Sequence, residues 1–254
     1  MYIRQTNSTS TLLREQYSDA LPNLYTIRTD YQTAGRGQAG NGWESEDGKN
    51  LLFSSLLRCD VAAGEQFYLT MLVSVAMADM LAQYLPLPQD GLRIKWPNDI
   101  YYGDKKLSGI LVENTLLGSR VAYSIVGIGL NVNQLVFRSK APNPVSMQQI
   151  TGREYDVQML LDAYLEALKR WMEVPKEALK EEYMEHLYRR QGLFPYVERE
   201  VSVAPTMLAS ASEKTENQVF MAELVDVDPM GELVLCTDQG EVRTYHFKQI
   251  RFVL

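Results

Sequence analysis

The sequence predicts an α+β chain in which a mixed or antiparallel sheet carries helices and is followed by a small β-barrel. Three observations lead there. Residues 66–85 and 157–190 place apolar side chains at helical spacing, residues 92–131 form four β segments around a tight turn, and residues 196–247 break into short strands separated by glycines. A chain of 254 residues, 46% hydrophobic and 22% charged, is long enough to bury such a core as one large domain or a main domain with an appendix. No internal period recurs and no segment is of low complexity, which sets repeat folds aside.

Along the chain, Ser8, Thr9 and Ser10 each offer a capping oxygen to a short helix through Leu12, Leu13 and Tyr17. Residues 24–29 and 51–57 read as strands, and the helix over 66–85, with Tyr68, Leu72, Val75, Met77 and Leu81, packs on their sheet. The four β segments are 92–96, 100–102, 106–113 and 120–131, and the Gly103-Asp104 turn joins the middle pair. A helical pattern returns over 157–190, broken near Pro175, with Leu160, Leu161, Tyr164, Leu165 and Leu168 on one face; Gly192 and Pro195 end it. The tail holds strands at 196–203, 219–227, 232–238 and 241–247, with turns at Gly231 and Gly240 and an exposed loop over 209–217. Its size, roughly 60 residues, suits a small barrel.

Lys and Arg total 25 against 32 Asp and Glu, a net charge of -7, and no run concentrates the basic residues, so no DNA-binding module is expected. Cys59 and Cys236 lie far apart, and His186 and His246 offer no CxxC or HxxxH spacing, which disfavours structural zinc and a disulfide framework. The first ten residues are polar, and the longest apolar stretch, 69–85, is interrupted by Ser74, Asp79 and Gln83. Neither a secretion signal nor a membrane span is expected, and the cytoplasm is the default location.

Three stretches can carry chemistry. The first runs from Gly35 to Trp43, where Gly35, Gly37 and Gly40 satisfy GxGxxG. A dinucleotide site needs a helix directly after such a loop, whereas 44–50 is polar and a strand starts at Leu51, so that reading fails. The Gly-Lys-Ser/Thr of a Walker loop and the HRD and DFG stretches of a kinase do not occur. What remains is a glycine loop with one cation, Arg36, that either wraps an anion with its N–H groups or is an ordinary surface loop. In the second stretch Pro97 forces Trp96 out of the helical region, so the chain turns and presents Asn98 and Asp99 at a strand end. Lys106 then opens a nearly continuous apolar strand, read as buried on both faces, where a cation interacts strongly with an anionic ligand; alternatively Lys105 and Lys106 are solvated hairpin residues. The third stretch, Gly127 to Asn133, ends a strand where glycines permit close approach by a ligand or simply tight packing.

In this order, Ser8-Thr9-Ser10, YQTAGRGQAGNGW from Tyr31, KWPNDIYYGDKKLSGILVEN from Lys95 and GIGLNVN from Gly127 resemble the biotin protein ligases, closely over residues 8–133. The resemblance implies an α+β catalytic domain of the class II synthetase and SH2-like type over 1–192 and an SH3-like barrel over 193–254. It also implies ATP and Mg²⁺ as requirements, biotin as substrate, and a lysine of the biotin carboxyl carrier protein or domain of a biotin-dependent carboxylase as acceptor. Biotin carboxylate attacks the α-phosphorus of ATP to give biotinyl-5′-AMP and pyrophosphate, and the lysine then displaces AMP. Matched residue by residue, biotin falls to Ser8, Thr9, Ser10, Gln32, Gly35, Arg36, Gly37, Gln38, Lys106 and Gly109, with Gly109 letting the bicyclic ring lie against the strand. ATP falls to Arg36, Trp43, Asn98, Lys106 and Asn131; Trp43 stacks on adenine and Asn131 hydrogen-bonds it. Arg36, Lys106 and Asp99 are the catalytic set, Asp99 orienting either the metal or the cations.

Two anions must meet in the first step, and unit charges about 4 Å apart at an effective dielectric near 20 repel by about 4 kcal/mol, which Arg36 and Lys106 are expected to offset. In the second step a lysine of pKa about 10.4 is neutral only about once in 2,500 at pH 7, equivalent to roughly 4.6 kcal/mol, so either Asp99 accepts its proton or the cations depress its pKa. The chain departs from regulatory members of the family, whose glycine loop has arginines where Gln38, Ala39 and Asn41 stand here, so weaker retention of the adenylate is expected. The triplet ends in Ser10 where the family usually has Asn. With the triplet starting at Ser8, the monofunctional type without a repressor module is expected, as monomer or homodimer. A lipoate ligase and a non-catalytic biotin-binding or sensor protein are the alternatives.

Overall fold

The computed structural model describes residues 1–37, 42–88, 91–138, 143–199 and 219–253. The chain divides into two compact units, Met1–Tyr188 and Arg189–Leu254.

In the first unit, seven strands among the described residues form one mixed sheet: β1 (Tyr2–Thr6), β2 (Thr26–Gln32), β3 (Leu51–Leu57), β4 (Leu92–Lys95), β5 (Asp99–Tyr102), β6 (Lys105–Leu117) and β7 (Arg120–Leu130). Their order is β1-β2-β3-β7-β6-β5-β4, with β1 parallel to β2 and every other pair antiparallel. β1 was not expected from the sequence. The strand expected over 24–29 starts and ends later, and β6 runs on to Leu117.

Paired residues share a face, so Leu111 with Gly127 and Gly109 with Gly129 line one side, and Ile110 with Ile128 the other. On the second side lie α2 (Phe67–Ala82) and α4 (Val157–Met172), where Phe53 of β3 meets the buried Tyr164 at 5.4 Å between ring centroids. α2 packs against α4, α5 (Lys176–Glu185) and the sheet, so it is buried nearly all round rather than along one stripe. On α4, Leu160, Leu161, Tyr164 and Leu168 are buried as expected, joined by Ala167, while Leu165 is half-buried. The first side carries α1 (Thr9–Glu15), whose Leu13 packs with Ile27, Leu56 and Ile125. Ser8 holds the N-cap position of α1, yet its side chain makes no capping bond. A short α3 (Met147–Thr151) is closed by a capping box of Ser146 and Gln149.

The second unit holds a separate small antiparallel sheet of β8 (Phe194–Glu198), β9 (Val219–Val227), β10 (Leu233–Thr237), β11 (Val242–Tyr245) and β12 (Ile250–Phe252), in the order β11-β10-β9-β8-β12. Pro195, expected to end a helix, lies inside β8: α5 stops at Glu185, and the Pro195 carbonyl accepts from the Val253 N–H. The loop expected over 209–217 lies outside the described residues. Among the described residues, no helix is long and apolar enough to cross a membrane.

Candidate functional site

The first side of the sheet, between α1 and β5, collects most of the residues that the motifs single out. Its floor is glycine. A Cβ built at Gly129 would fall 2.3 Å from Trp43 Cε2, one at Gly109 would fall 2.7 Å from Trp43 Cζ3, and one at Gly127 would lie 3.4 Å from Ser54 Oγ and 3.6 Å from Ser10 Cβ. The absence of side chains at Gly109 and Gly129 therefore lets the Trp43 indole lie directly on the backbone. The indole Nε1 is buried and has no hydrogen-bond partner among the described residues. The space above Gly109, expected to take the bicyclic ring of the ligand, is filled by this indole.

Beside it, at the start of α1, is a cluster of buried polar groups. The Thr9 N–H and hydroxyl both donate to Gln32 Oε1, at 2.8 and 3.1 Å. Since a hydroxyl has one hydrogen, Thr9 Oγ1 then accepts from the Ser54 hydroxyl, 2.8 Å away. Ser8 and Ser10 bond to each other at 3.0 Å, and Ser8, Thr9, Ser10 and Ser54 are all buried. Ser54 was missed in the sequence reading. Its signal was a pair of hydroxyls in the otherwise apolar β3, Leu51–Leu57.

The glycine loop is closed at its base. Trp43 N–H donates to Gly35 O at 3.0 Å, and Arg36 and Gly42 form an isolated antiparallel bridge. Gly35 is confined there, because an added Cβ would lie 2.7 Å from Trp43 O. Gly37 is half-buried, and Gln38 lies outside the described residues.

The two cations are not brought together. Lys106 Nζ donates to Asp99 Oδ2 at 2.6 Å, with its stem over Gly109 and its ammonium 5.9 Å from the Trp43 ring. Arg36 instead makes a two-pronged bond to Glu113, at 2.7 and 3.2 Å, and Arg14 of α1 reaches the same carboxylate at 3.1 Å. Glu113 stands seven residues beyond Lys106 on β6, roughly 20 Å of strand. Glu113 and Arg14 were also missed; the signal was an acid ending an apolar run.

The strand that Lys106 opens is not buried on both faces. Leu107, Ser108 and Ile110 are buried, whereas Lys106, Gly109 and Leu111 are half-exposed on the open side. Asn98 is buried in the turn before β5, after a cis Trp96–Pro97 bond. Asn131 is buried and structural in part: its Nδ2 donates to Val145 O at 3.1 Å and to Lys106 O at 3.4 Å, tying segment 143–145 to the start of β6. Burial, with the Asp99 charge second, pushes the Tyr101 phenol well above its ordinary range, so it stays a neutral neighbour of the pair. Among the described residues, no group of three His, Cys, Asp or Glu side chains is placed to hold a metal. Asp99 is held by Lys106 and belongs to no such group, so the described residues by themselves do not form a metal cage there.

A family model described as "Biotin/lipoate A/B protein ligase family" matches residues 2–131. The chain belongs to that family. Among its curated relatives, the bifunctional ligase/repressor BirA of Bacillus subtilis is 29% identical over 248 residues, which cover 94% of this chain and 70% of that protein. The biotin--[acetyl-CoA-carboxylase] ligase of Mycobacterium tuberculosis is 32% identical over 134 residues, 52% of this chain and 48% of the relative. BirA of Escherichia coli is 32% identical over 170 residues, and the match spans about half of its length, 48%. Among solved structures, the biotin protein ligase of Aquifex aeolicus in complex with biotin and ATP aligns with a TM-score of 0.72 at 21% identity, covering 100% of this chain and 98% of that one. The ligase-family match ends at Asn131, where β7 leaves the sheet, so the serine–threonine cluster, the glycine floor and both ion pairs lie inside it.

Proposed function

We propose that the first unit ligates biotin to a lysine of a biotin carboxyl carrier protein or domain in an ATP-dependent reaction through biotinyl-5′-AMP. One observation carries this reading: the cluster of the buried Ser8, Thr9, Ser10 and Ser54 with the half-buried Gln32 stands on the same sheet face as the Lys106–Asp99 pair, with a glycine floor between. Family membership and relatives named as biotin ligases support it. A neutral ureido ring needs donors and acceptors in a water-poor recess, and the cluster supplies hydroxyls of both kinds. Lys106 provides positive charge where the carboxylate oxygen attacks the α-phosphorus and pyrophosphate departs with the electrons of the broken P–O bond. Asp99 keeps that ammonium in place. In the second half-reaction the acceptor amine attacks the acyl carbon, AMP leaves with the electron pair of the C–O bond, and the amine gives up its proton. Magnesium, if required, would come bound to the nucleotide phosphates rather than to a cage of this chain's own residues, and would supply further positive charge.

The smaller second unit contains none of these residues, and we assign it no part in the chemistry. Relatives named for biotin ligation favour biotin over lipoate. The chain is incubated with a carrier domain, ATP, Mg²⁺ and either biotin or lipoate, and the carrier is weighed by mass spectrometry. A gain of one biotinyl group is expected. An unchanged carrier with biotin, or a lipoyl adduct formed in preference, overturns the reading.

A further inference from the structure

We infer that Tyr183, on the α5 helix packed against α2, is a positioning residue for adenylate formation: its hydroxyl sets the place of the hairpin that carries Asp99, and through Asp99 that of Lys106. The inference rests on the biotin reading above. Asp99 opens β5 opposite Lys95 at the end of β4, and Trp96, Pro97 and Asn98 make the connection. Toward β6 the paired positions begin only at Ile100, with a register shift directly after it, so the Asp99 backbone is paired with β4 alone. β4 is itself the outermost strand of the sheet among the described residues. The carboxylate that holds the Lys106 ammonium therefore stands on the least supported corner of the sheet, and its placement depends on contacts from outside the ladder.

α5 and the residues after it supply those contacts. The Ile94 N–H donates to His186 O and the Tyr188 N–H to Ile94 O, each at 2.8 Å, which holds β4 along its backbone. At the tip of the hairpin the Tyr183 hydroxyl donates to Pro97 O at 2.7 Å. Tyr183 is fully buried and its ring meets Phe67 of α2 edge-on, with 5.7 Å between centroids, so the hydroxyl is delivered from a braced ring. The hairpin is thus gripped twice, by Tyr183 at the tip and by Lys106 at the carboxylate. Removing the hydroxyl leaves the Pro97 carbonyl without this donor, and the tip shifts to find another. Tyr164 is the contrast: it is equally buried, on α4, but its hydroxyl has no hydrogen-bond partner among the described residues, so losing its oxygen breaks no bond to the site.

The test is a double-mutant comparison on the full chain, read as biotin-dependent pyrophosphate release. Tyr183→Phe slows release at saturating biotin and ATP about tenfold, short of the roughly 100-fold that a 1 Å misplacement of reacting groups can cost, while the KM for biotin stays within about twofold. In an Asp99→Asn background, where no carboxylate steers Lys106, the same change costs less than about twofold. Tyr164→Phe leaves the rate of the parent chain within about twofold. Equal slowing by Tyr183→Phe with and without Asp99, no slowing at all, or equal slowing by Tyr164→Phe overturns the inference and leaves the biotin reading standing. If the parent chain releases no pyrophosphate with biotin, the biotin reading falls and takes this inference with it. Should Tyr183→Phe fail to fold, Phe67→Leu replaces it under the same rule: it keeps the hydroxyl, removes the ring that braces it, and slows release only in the chain that keeps Asp99.

Discussion

The roof that Trp43 forms over two glycines is testable by adding one methyl group. In Gly129→Ala the new Cβ falls 2.3 Å from Cε2, 2.5 Å from Nε1 and 2.8 Å from Cδ2 of the indole, on a strand whose backbone at that position suits alanine. Carbon atoms rest about 3.5–4.0 Å apart, so the ring must retreat by more than about 1 Å or leave the floor. Overpacking of this kind costs roughly 1–3 kcal/mol. In a Trp43→Ala background the methyl meets no ring, and replacing glycine by alanine in a compatible conformation then stabilises by about 0.4–1 kcal/mol through the unfolded chain. The same change should therefore alter sign between backgrounds, a coupling on the order of 1.5–4 kcal/mol, well above the roughly 0.5 kcal/mol expected of independent sites. Urea unfolding of the four proteins, followed by circular dichroism, measures it. Equal costs for Gly129→Ala with and without Trp43 would refute the placement of the indole on the floor.

Three further outcomes are expected. Lys106→Gln should slow biotin-dependent pyrophosphate release by about 100- to 1,000-fold, as removal of a charge that stabilises the reacting anions does; an unaltered rate would remove Lys106 from the chemistry. Asp99→Asn should slow adenylate formation by loosening Lys106, and transfer from preformed biotinyl-AMP separates the roles: transfer unchanged across pH excludes Asp99 as the base. Cys59 should be a slow nucleophile, since burial pushes its thiol up to about 11 from 9. Its alkylation by iodoacetamide should rise about tenfold per pH unit from 8 to 10 in the folded chain, and a plateau by pH 9.5 would contradict that. The sign of the linked stability follows: the unfolded thiol ionises first, so the contribution is whole below pH 9 and lost as pH climbs toward 11.

Much of the fold was legible because its elements obey simple periods, and the exceptions have physical causes. α4 shows its buried face because only one of its sides is covered, whereas α2 is covered on several sides and its pattern blurs into a uniformly apolar run. β1 escaped notice because Tyr2–Thr6 is largely exposed and joins the sheet through its backbone, Tyr2 pairing with Arg28 and Gln5 with Tyr31. β12, three residues long, is too short for a period to register. At the site, the triplet at Ser8, the glycine loop and the Lys106 strand were readable as motifs. Partners were not. That Glu113 rather than Lys106 stands beside Arg36, and that Trp43 lies over Gly109 and Gly129, depends on how β6 and β7 bring distant positions into register.

The charges of the site explain how a chain of net charge -7 handles anionic substrates. Overall charge repels them, so attraction must be local. Among Arg14, Arg36, Lys106, Glu113 and Asp99, three cations face two carboxylates, a surplus of one positive charge. An unpaired ammonium or guanidinium over a half-buried glycine and tryptophan floor would be costly, and pairing each with a carboxylate of the chain relieves that cost before any ligand arrives. Binding the ligand carboxylate at Lys106 then exchanges one ion pair for another and creates little new charge contact. The dependence of biotin affinity on ionic strength should accordingly be shallow, less than about twofold between 50 and 500 mM salt, because screening weakens the old pair and the new one alike. In Asp99→Asn no pair is broken on binding, so the same titration should steepen to severalfold; an equally shallow slope would mean that Lys106 never leaves its carboxylate.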